Sequence, residues 1–176
     1  KVLLDDVDAG MQATRLLFSK GYRNIRMISY NLGISSIAER ENGYKAVMAE
    51  NGLADQAKIH YIAYGDSVEA VVDIIKNAMA EGADAFFLPT YSLAALALGA
   101  LKELKLNTPE DVAIVAFDES DIYRLGRTTI AHMVQPLKEL AEKSLELLHS
   151  MIENEASVDN IILKSEIVPG ESVDKR

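Results

Sequence analysis

The segment from Pro109 to Asp118 constrains the fold of this 176-residue chain more than any other stretch. Pro109 ends whatever precedes it, because proline cannot donate a backbone hydrogen bond and disfavours helical conformation in the preceding residue. Residues 112–117 then form a nearly continuous apolar run, VAIVAF, rich in β-branched side chains. A run without alternation predicts a strand buried on both faces, as in parallel sheets covered by helices.

Similar runs recur along the chain, each joined to a helical pattern by a short turn. Strands are predicted at 2–4, 25–30, 59–63, 85–88, 112–117 and 130–134, and helices at 8–20, 37–50, 67–80, 93–104 and 136–154. Residues 122–127 are predicted to be irregular, 161–168 to be extended, and the chain from 169 onward to be a polar tail. Alternating strands and helices indicate an α/β fold, a parallel sheet flanked by helices on both faces.

The composition suits one domain over residues 1–176, since 49% of the residues are apolar and 26% are charged. The absence of cysteine excludes disulfides and thiolate metal sites, and it fits a reducing, cytoplasmic location. A formal charge of −9 would repel a phosphate backbone, so these residues are not expected to grip nucleic acid themselves. No run is long enough to predict a membrane span, and the start at Lys1 suggests a fragment of a longer protein.

The sequence shows none of the usual catalytic signatures. It has no GxxxxGK[ST] phosphate loop and no GxSxG nucleophile turn. His60, His132 and His149 are scattered among apolar residues, where a histidine is more typical of a surface or core edge than of a metal site. We therefore predict no enzyme activity, no cofactor and no metal, although an enzyme of Rossmann-like class remains an alternative that a turnover assay would expose.

Polar and aromatic residues follow the predicted strands at the points where these strands end. They are Asn31, Ser35, Ser36, Tyr64, Thr90, Tyr91 and Asp118, and Arg40 follows the first of these loops. Ligands of open α/β sheets bind beyond the carboxyl ends of the strands, so these residues predict a small-molecule site. A guanidinium beside a carboxylate suits a polyhydroxylated ligand. Taken alone, each residue is more typical of a surface position, and only together do they favour a binding site. Asp118 could equally well cap a turn or the next helix.

Several short motifs together resemble the effector-binding core of the LacI/GalR family of bacterial transcription regulators. The family's V-x-x-D-N segment resembles residues 2–6, its A-x-x-L segment residues 13–17, and its G-H-x-x-I segment residues 21–25. Its R-x-x-G-[FYW] motif resembles residues 40–44. Its P-x-D-[IV]-x-[IV]-x-G-[FY]-D-[DN] motif resembles residues 109–119, and its Q-P pair matches residues 135–136. Their order and spacing cover nearly the whole chain. The resemblance implies a lobe of the type I periplasmic-binding-protein-like fold.

The resemblance also implies which residues contact the effector. The family's arginine and first aspartate correspond to Arg40 and Asp118, and its usual Asn-Asp pair corresponds to Thr90 and Tyr91. With Tyr64 and Ser35, these form the predicted ligand-binding set. Replacement of a carboxylate by a phenol at Tyr91 predicts a larger, more apolar or negatively charged ligand than a free sugar. Ala116 stands where the family has Gly.

Family members carry an N-terminal helix-turn-helix and a first lobe, and this chain corresponds mainly to the second lobe. The helix predicted at 136–154 would then pack on the first lobe, so its leucine-rich face should be exposed here and mediate a homodimer. The leading functional hypothesis is the sugar- or sugar-like-effector sensor of a repressor that binds DNA through the absent domain. The alternative is a solute-binding protein of a sugar transport system, which a signal peptide would favour.

Overall fold

The computed structural model describes residues 1–153 and 160–174 of the chain. Its strands are β1 (Val2–Leu4), β2 (Ile25–Tyr30), β3 (Lys58–Ile62), β4 (Ala85–Phe87), β5 (Ala113–Phe117), β6 (Ala131–Val134), β7 (Ile161–Leu163) and β8 (Glu166–Val168). Its helices are α1 (Asp6–Ser19), α2 (Ser35–Glu50), α3 (Val68–Ala80), α4 (Tyr91–Leu104), α5 (Ile122–Leu125) and α6 (Leu137–Ile152). Short 3-10 turns occupy Ala54–Gln56 and Glu171–Val173.

Six of the strands form one sheet in the order β3-β2-β4-β5-β6-β8. Every neighbouring pair is parallel except β6 and β8, which run antiparallel. The remaining strands, β1 and β7, pair in parallel as a separate two-stranded sheet. The predicted α/β class is confirmed, but the last extended segment does not stay in one sheet, because β7 pairs with β1 and β8 with β6.

Helices cover both faces of the six-stranded sheet, as the apolar run at 112–117 predicts. Ala113, Val115 and Phe117 of β5 pack in the core formed with α1 and α2. Ile114 and Ala116 point the other way, into the core formed with α3 and α4. All five side chains of β5 are buried, so this strand lies at the centre of a three-layered structure.

Two glycines allow α1 and α2 to cross at very short distance. A Cβ on Gly43 would stand 2.2 Å from the carbonyl oxygen of Val7, and one on Gly10 would stand 2.2 Å from that of Arg40. Real Cβ atoms do not approach backbone oxygens so closely, so any larger residue would force the helices apart. This crossing holds Arg40 against the first turn of α1.

The helix α6 lies apart from the main sheet and has no buried residue. Its Leu145, Leu148 and Met151 are 67%, 54% and 59% exposed, which confirms the predicted exposed apolar face. Ile162 on the small sheet is 61% exposed as well. The predicted helix end at 154 lies outside the described residues.

Two expectations for the second half of the chain are wrong. Residues 122–125 form the short helix α5 rather than an irregular segment. The predicted polar tail is partly buried, because Ser172 donates to the Ile114 carbonyl at 2.7 Å and accepts from the Ala131 amide at 2.9 Å. These two bonds fasten the segment between β5 and β6. None of the helices formed by residues 1–153 and 160–174 is both long and apolar enough to cross a membrane.

Candidate effector site at the sheet rim

Arg40 is buried at the carboxyl edge of the sheet, with only 6% of its surface exposed. Its Nε donates to Oδ1 of Asp6 at 2.7 Å, and its Nη1 donates to the carbonyl of Pro89 at 2.7 Å. The guanidinium also lies over the Phe117 ring, with Cζ 3.6 Å from the ring centroid. Its Nη2 makes no hydrogen bond to the described residues, so a fixed donor remains for a ligand.

Asp6 holds Arg40 from the first turn of α1, directly after β1. Burial raises the pKa of Asp6, and this outweighs the lowering by the charge and hydrogen bond of Arg40. The charge of Asp118 also raises the pKa of Asp6, although more weakly. Asp6, Arg40 and Asp118 therefore form one electrostatically linked group.

Asp118 follows β5 in the left-handed conformation, with φ of 65°. Aspartate and asparagine tolerate this region better than most residues. Its Oδ1 accepts from Nε2 of Gln135 at 2.6 Å, and its Oδ2 accepts weakly from the amide of Tyr91 at 3.4 Å. The strand end is fixed by Tyr123, whose hydroxyl donates to the Phe117 carbonyl at 3.0 Å. An ionised carboxylate accepts about four bonds, so Asp118 keeps capacity for a ligand.

A cavity of about 840 Å³ opens beside Asp118 and Gln135. The first turns of α6, which carry Glu139 and Lys143, form its other wall. Arg40 does not line this cavity, and its guanidinium stacks on Phe117, the residue that precedes Asp118. The cavity can thus offer the carboxylate of Asp118 and the carboxamide of Gln135 to a polar ligand.

The other predicted contact residues lie in different places. Thr90 directly follows Pro89, whose carbonyl accepts a hydrogen bond from Arg40. The Oγ1 of Thr90 caps α4 by accepting from the Leu93 amide at 3.3 Å. Tyr91 contacts Asp118 only through its backbone, and it lines a second cavity, of about 750 Å³, between α4 and α5. The structure therefore brings Thr90 to the rim and places the phenol of Tyr91 beside the other cavity.

Tyr64 and Ser35 are not among the residues that line the cavity beside Asp118. Tyr64 is 71% exposed and packs edge-on against Tyr30, with 5.5 Å between ring centroids. Ser35 is the exposed first residue of α2, two residues earlier than the predicted helix start. Neither residue lines the 840 Å³ cavity, and their contact with a ligand stays a prediction.

The sequence is similar to known proteins over almost its entire length. A family model described as periplasmic binding protein-like domain matches residues 14–173. The chain belongs to this periplasmic binding protein-like family. Catabolite control protein A of Priestia megaterium is 27% identical over 169 residues, which are 93% of this chain and 49% of that protein. The regulator GalR of Escherichia coli K12 is 25% identical over 156 residues, or 87% of this chain and 45% of that protein.

These relatives confirm the resemblance to LacI/GalR regulators, and the chain spans about half of their length. Among solved structures, the complex of the transcriptional regulator CelR with cellobiose aligns with a TM-score of 0.85 at 24% identity. That alignment covers 97% of this chain and 53% of the other. It confirms the periplasmic binding protein-like fold.

Two residues of this periplasmic binding protein-like site were not predicted from the sequence. In the sequence, Gln135 stands out only as part of its Gln-Pro pair. Its position directly after β6 also indicates the carboxyl edge of the sheet, where ligand contacts are expected. Asp6 enters the sequence argument only within residues 2–6, which resemble V-x-x-D-N, and no contact is predicted for it. Asp5 does cap α1, accepting from the Asp8 amide at 3.0 Å, but Asp6 pairs with an arginine far along the sequence. No local pattern could reveal that pairing.

Within the part of the chain that the structure describes, no three His, Asp or Glu side chains are grouped so that they could hold a metal ion. His132 is buried, and its Nδ1 lies 2.8 Å from the Ile130 carbonyl. Burial lowers the pKa of His60, and nearby Arg26 lowers it further. His149 lies on the exposed helix α6. The histidines thus occupy core, core-edge and surface positions, and they do not converge with the rim residues.

Proposed function

We propose that this chain is the effector-sensing part of a bacterial transcriptional repressor. A sugar or sugar-like molecule binds in a cleft between this lobe and a second lobe, and binding controls an N-terminal helix-turn-helix outside this chain. The relatives support this proposal, since they include HTH-type regulators and a regulator in complex with cellobiose. The alternative, a transport solute-binding protein, has no such support among them.

The observation that carries the proposal is the common rim of Arg40 and Asp118. A fixed guanidinium and a carboxylate with spare acceptor positions can bind neighbouring hydroxyl groups of one ligand. Gln135 lines the same cavity as Asp118 and adds a carboxamide there. Because the usual Asn-Asp pair is replaced by Thr90 and Tyr91, we propose a ligand with fewer hydroxyl donors at that end than a free monosaccharide.

The segments that leave the rim provide a route from ligand to lobe closure. Gln135, which binds Asp118, is followed by Pro136 and then by α6. Asp6, which binds Arg40, directly follows Leu4 and Asp5 at the end of β1. A ligand that prefers one arrangement of these segments shifts the population between open and closed lobes.

The exposed surface of α6, β1 and β7 indicates what completes the molecule. A two-stranded sheet is marginally stable in water by itself, and an exposed leucine-rich helix face marks an interaction surface. We propose that the rest of the first lobe covers this surface in the full-length protein, and that the isolated chain forms a homodimer through it. A regulator of this kind acts in the cytoplasm, and we propose no catalytic reaction for it.

The test uses the full-length protein and a panel of neutral disaccharides, free monosaccharides and sugar phosphates. Thermal shift identifies the binders, and fluorescence anisotropy then measures how each binder changes the affinity for upstream DNA. We expect at least one of these ligands to change the affinity for DNA, and we expect Asp118→Asn to lower the affinity of the protein for that ligand. An upstream region without a DNA-binding domain would contradict the proposal.

A further inference from the structure

A second, smaller cavity lies at the other side of the rim, around Glu41. Its volume is about 170 Å³, and its walls are Tyr30, Tyr61, Ile34, Ile37 and the loop at Asn31 and Gly33. Glu41 is one residue after Arg40 but points toward β2 and β3 rather than toward Phe117. Only 8% of its surface is exposed.

The carboxylate of Glu41 is held by neutral hydroxyl groups. Ser29 Oγ donates to its Oε1 at 2.7 Å, and Tyr61 Oη donates to its Oε2 at 2.8 Å. The ammonium of Lys45 stands 3.9 Å from Oε2, beyond hydrogen-bond distance, on a half-exposed side chain. Among residues 1–153 and 160–174, the only salt-bridge partner of the buried Glu41 carboxylate is therefore the loosely placed Lys45.

Asp6 provides the comparison within the same molecule. Its side chain is as buried as that of Glu41, but a guanidinium nitrogen touches it at 2.7 Å. A buried carboxylate without such a partner is costly unless it is paired or fully hydrogen-bonded. Each oxygen of Glu41 has room for a further donor, because a carboxylate oxygen accepts about two bonds.

The walls of the cavity favour a cationic donor over a neutral one. Tyr30 and Tyr61 line it with aromatic rings, which attract cations through their electron-rich faces. Ile34 and Ile37 supply apolar surface. The space suits a group of roughly five or six non-hydrogen atoms, taking about 30 Å³ for each water-sized unit. A neutral hydroxyl would satisfy a hydrogen bond but would leave the charge of Glu41 uncompensated.

We propose that this cavity, the Glu41 pocket, is a binding site for a small organic ammonium group. Glu41 pairs with the cation, and Tyr30 and Tyr61 enclose its alkyl surface. The pocket belongs to α2, β2 and β3, so it is separate from the contacts of Arg40 and Asp118. An effector or a second ligand that carries an amine is the chemistry that fits it.

Titration of the full-length protein with tert-butylammonium chloride tests this site directly, because this cation has N–H donors and five non-hydrogen atoms. The salt is balanced with sodium chloride at constant ionic strength, and tert-butanol serves as the neutral analogue of the same shape. Ligand-observed NMR and the ring signals of Tyr61 report binding. We expect tert-butylammonium to bind and to shift the Tyr61 signals, and tert-butanol not to compete. Absence of tert-butylammonium binding, or equal binding of the two probes, would overturn the proposal.

Two variants locate the binding. Glu41→Gln keeps the shape and removes the charge, so it should weaken the binding of tert-butylammonium about tenfold, near the lower end for loss of a contact to a charged group. Glu103→Gln removes an exposed carboxylate on α4 and should leave the affinity unchanged. Tyr61→Phe keeps the ring but frees Oε2 of Glu41, so it should bind at least as tightly as the parent protein. Unchanged binding to Glu41→Gln, or loss of binding in Tyr61→Phe with the fold intact, would reject the site.

Discussion

Arg40 and Asp6 form a buried ion pair, with 2.7 Å between Nε and Oδ1 and side chains that are 7% and 8% exposed. This pair joins α2, which carries the candidate ligand residue Arg40, to the start of α1, which carries Asp6. Arg40 is also fixed by the Pro89 carbonyl and the Phe117 ring. The guanidinium is therefore held in place before any ligand binds, which reduces the entropy lost on binding.

The first prediction concerns the stability that depends on this pair. Asp6→Ala leaves the guanidinium buried without its partner, which should lower the free energy of unfolding by about 3 kcal/mol. The double variant Asp6→Leu/Arg40→Met should recover part of that loss. Urea unfolding of Asp6→Leu, Arg40→Met and the double variant measures the coupling. Strict additivity of the single losses would show that the pair contributes nothing.

A matched control is the exposed pair Arg15 and Glu50. Their side chains are 50% and 48% exposed, at a distance of 3.0 Å. Solvent screens such a pair, so Arg15→Ala should change the stability by less than about 1 kcal/mol. Equal losses for the exposed and buried pairs would contradict the importance of burial at Asp6.

The second prediction concerns the carboxylate of Asp118. Asp118→Asn keeps a residue that tolerates the left-handed backbone but removes the charge. We expect effector affinity in the full-length protein to fall roughly tenfold to a hundredfold, since a bond to a charged group contributes about 1.5–3 kcal/mol. Calorimetry with the effector checks this. Asp73→Asn, at an exposed site on α3, is the control and should bind normally.

The third prediction concerns the helix crossing that positions Arg40. Gly43→Ala would place a methyl group 2.2 Å from the Val7 carbonyl, so α1 and α2 must separate and stability should fall by roughly 2 kcal/mol or more. Gly99→Ala adds the same methyl group in α4, where it meets the Val68 side chain at 3.2 Å. A side chain can shift and alanine favours helix, so the net change there should stay within about 1 kcal/mol. Thermal unfolding of both variants measures the two losses of stability. Equal stability of the two variants would contradict the crossing geometry.

These contacts show which parts of the structure local sequence could predict. The buried strand β5 and the alternation of strands and helices follow from hydrophobic periodicity. The exposed face of α6 is expected only from the family resemblance, which places the lobe that covers it outside this chain. Arg40 and Asp118 were placed at one rim because parallel strands present their carboxyl ends on the same edge. The final position of these two side chains depends on packing between distant residues, whereas periodicity predicts only the order of strands and helices along the chain.

Sequence could not predict contacts that depend on distant partners. Asp6 meets an arginine 34 positions away, and the Glu41 pocket depends on Ser29 and Tyr61 from two neighbouring strands. The burial of Ser172 depends on the backbones of β5 and β6. A single serine or glutamate in the sequence carries no sign of such a partner.

The fourth prediction is a pH dependence at Tyr61. Burial, the hydrogen bond to Glu41 and the charge of Glu41 raise its pKa from 10.0 to about 12. A raised pKa in the folded state stabilises the fold fully below pH 10, and this contribution is lost as the pH rises through about 12. Between these values the parent protein should lose stability relative to Tyr61→Phe, as measured by urea unfolding. Parallel curves would contradict the shift.

A companion variant separates the causes of that shift. Glu41→Gln removes the neighbouring charge but keeps an oxygen that can accept from Tyr61. The pKa of Tyr61, followed by NMR of its ring, should therefore move down toward 10.0 without reaching it, because burial remains the largest cause. An unchanged value would show that the charge of Glu41 does not act on the phenol.

The fifth prediction concerns self-association through α6. Leu145 and Leu148 project from a helix with no buried residue, so Leu145→Lys/Leu148→Lys should shift the isolated 176-residue chain from dimer to monomer in sedimentation velocity. Leu125→Lys alters a leucine that is 80% exposed on α5 and should leave the dimer intact. If the parent chain is monomeric at every accessible concentration, the homodimer proposal fails. If only Leu125→Lys dissociates it, the dimer uses the surface near α5, and α6 is covered by the first lobe alone.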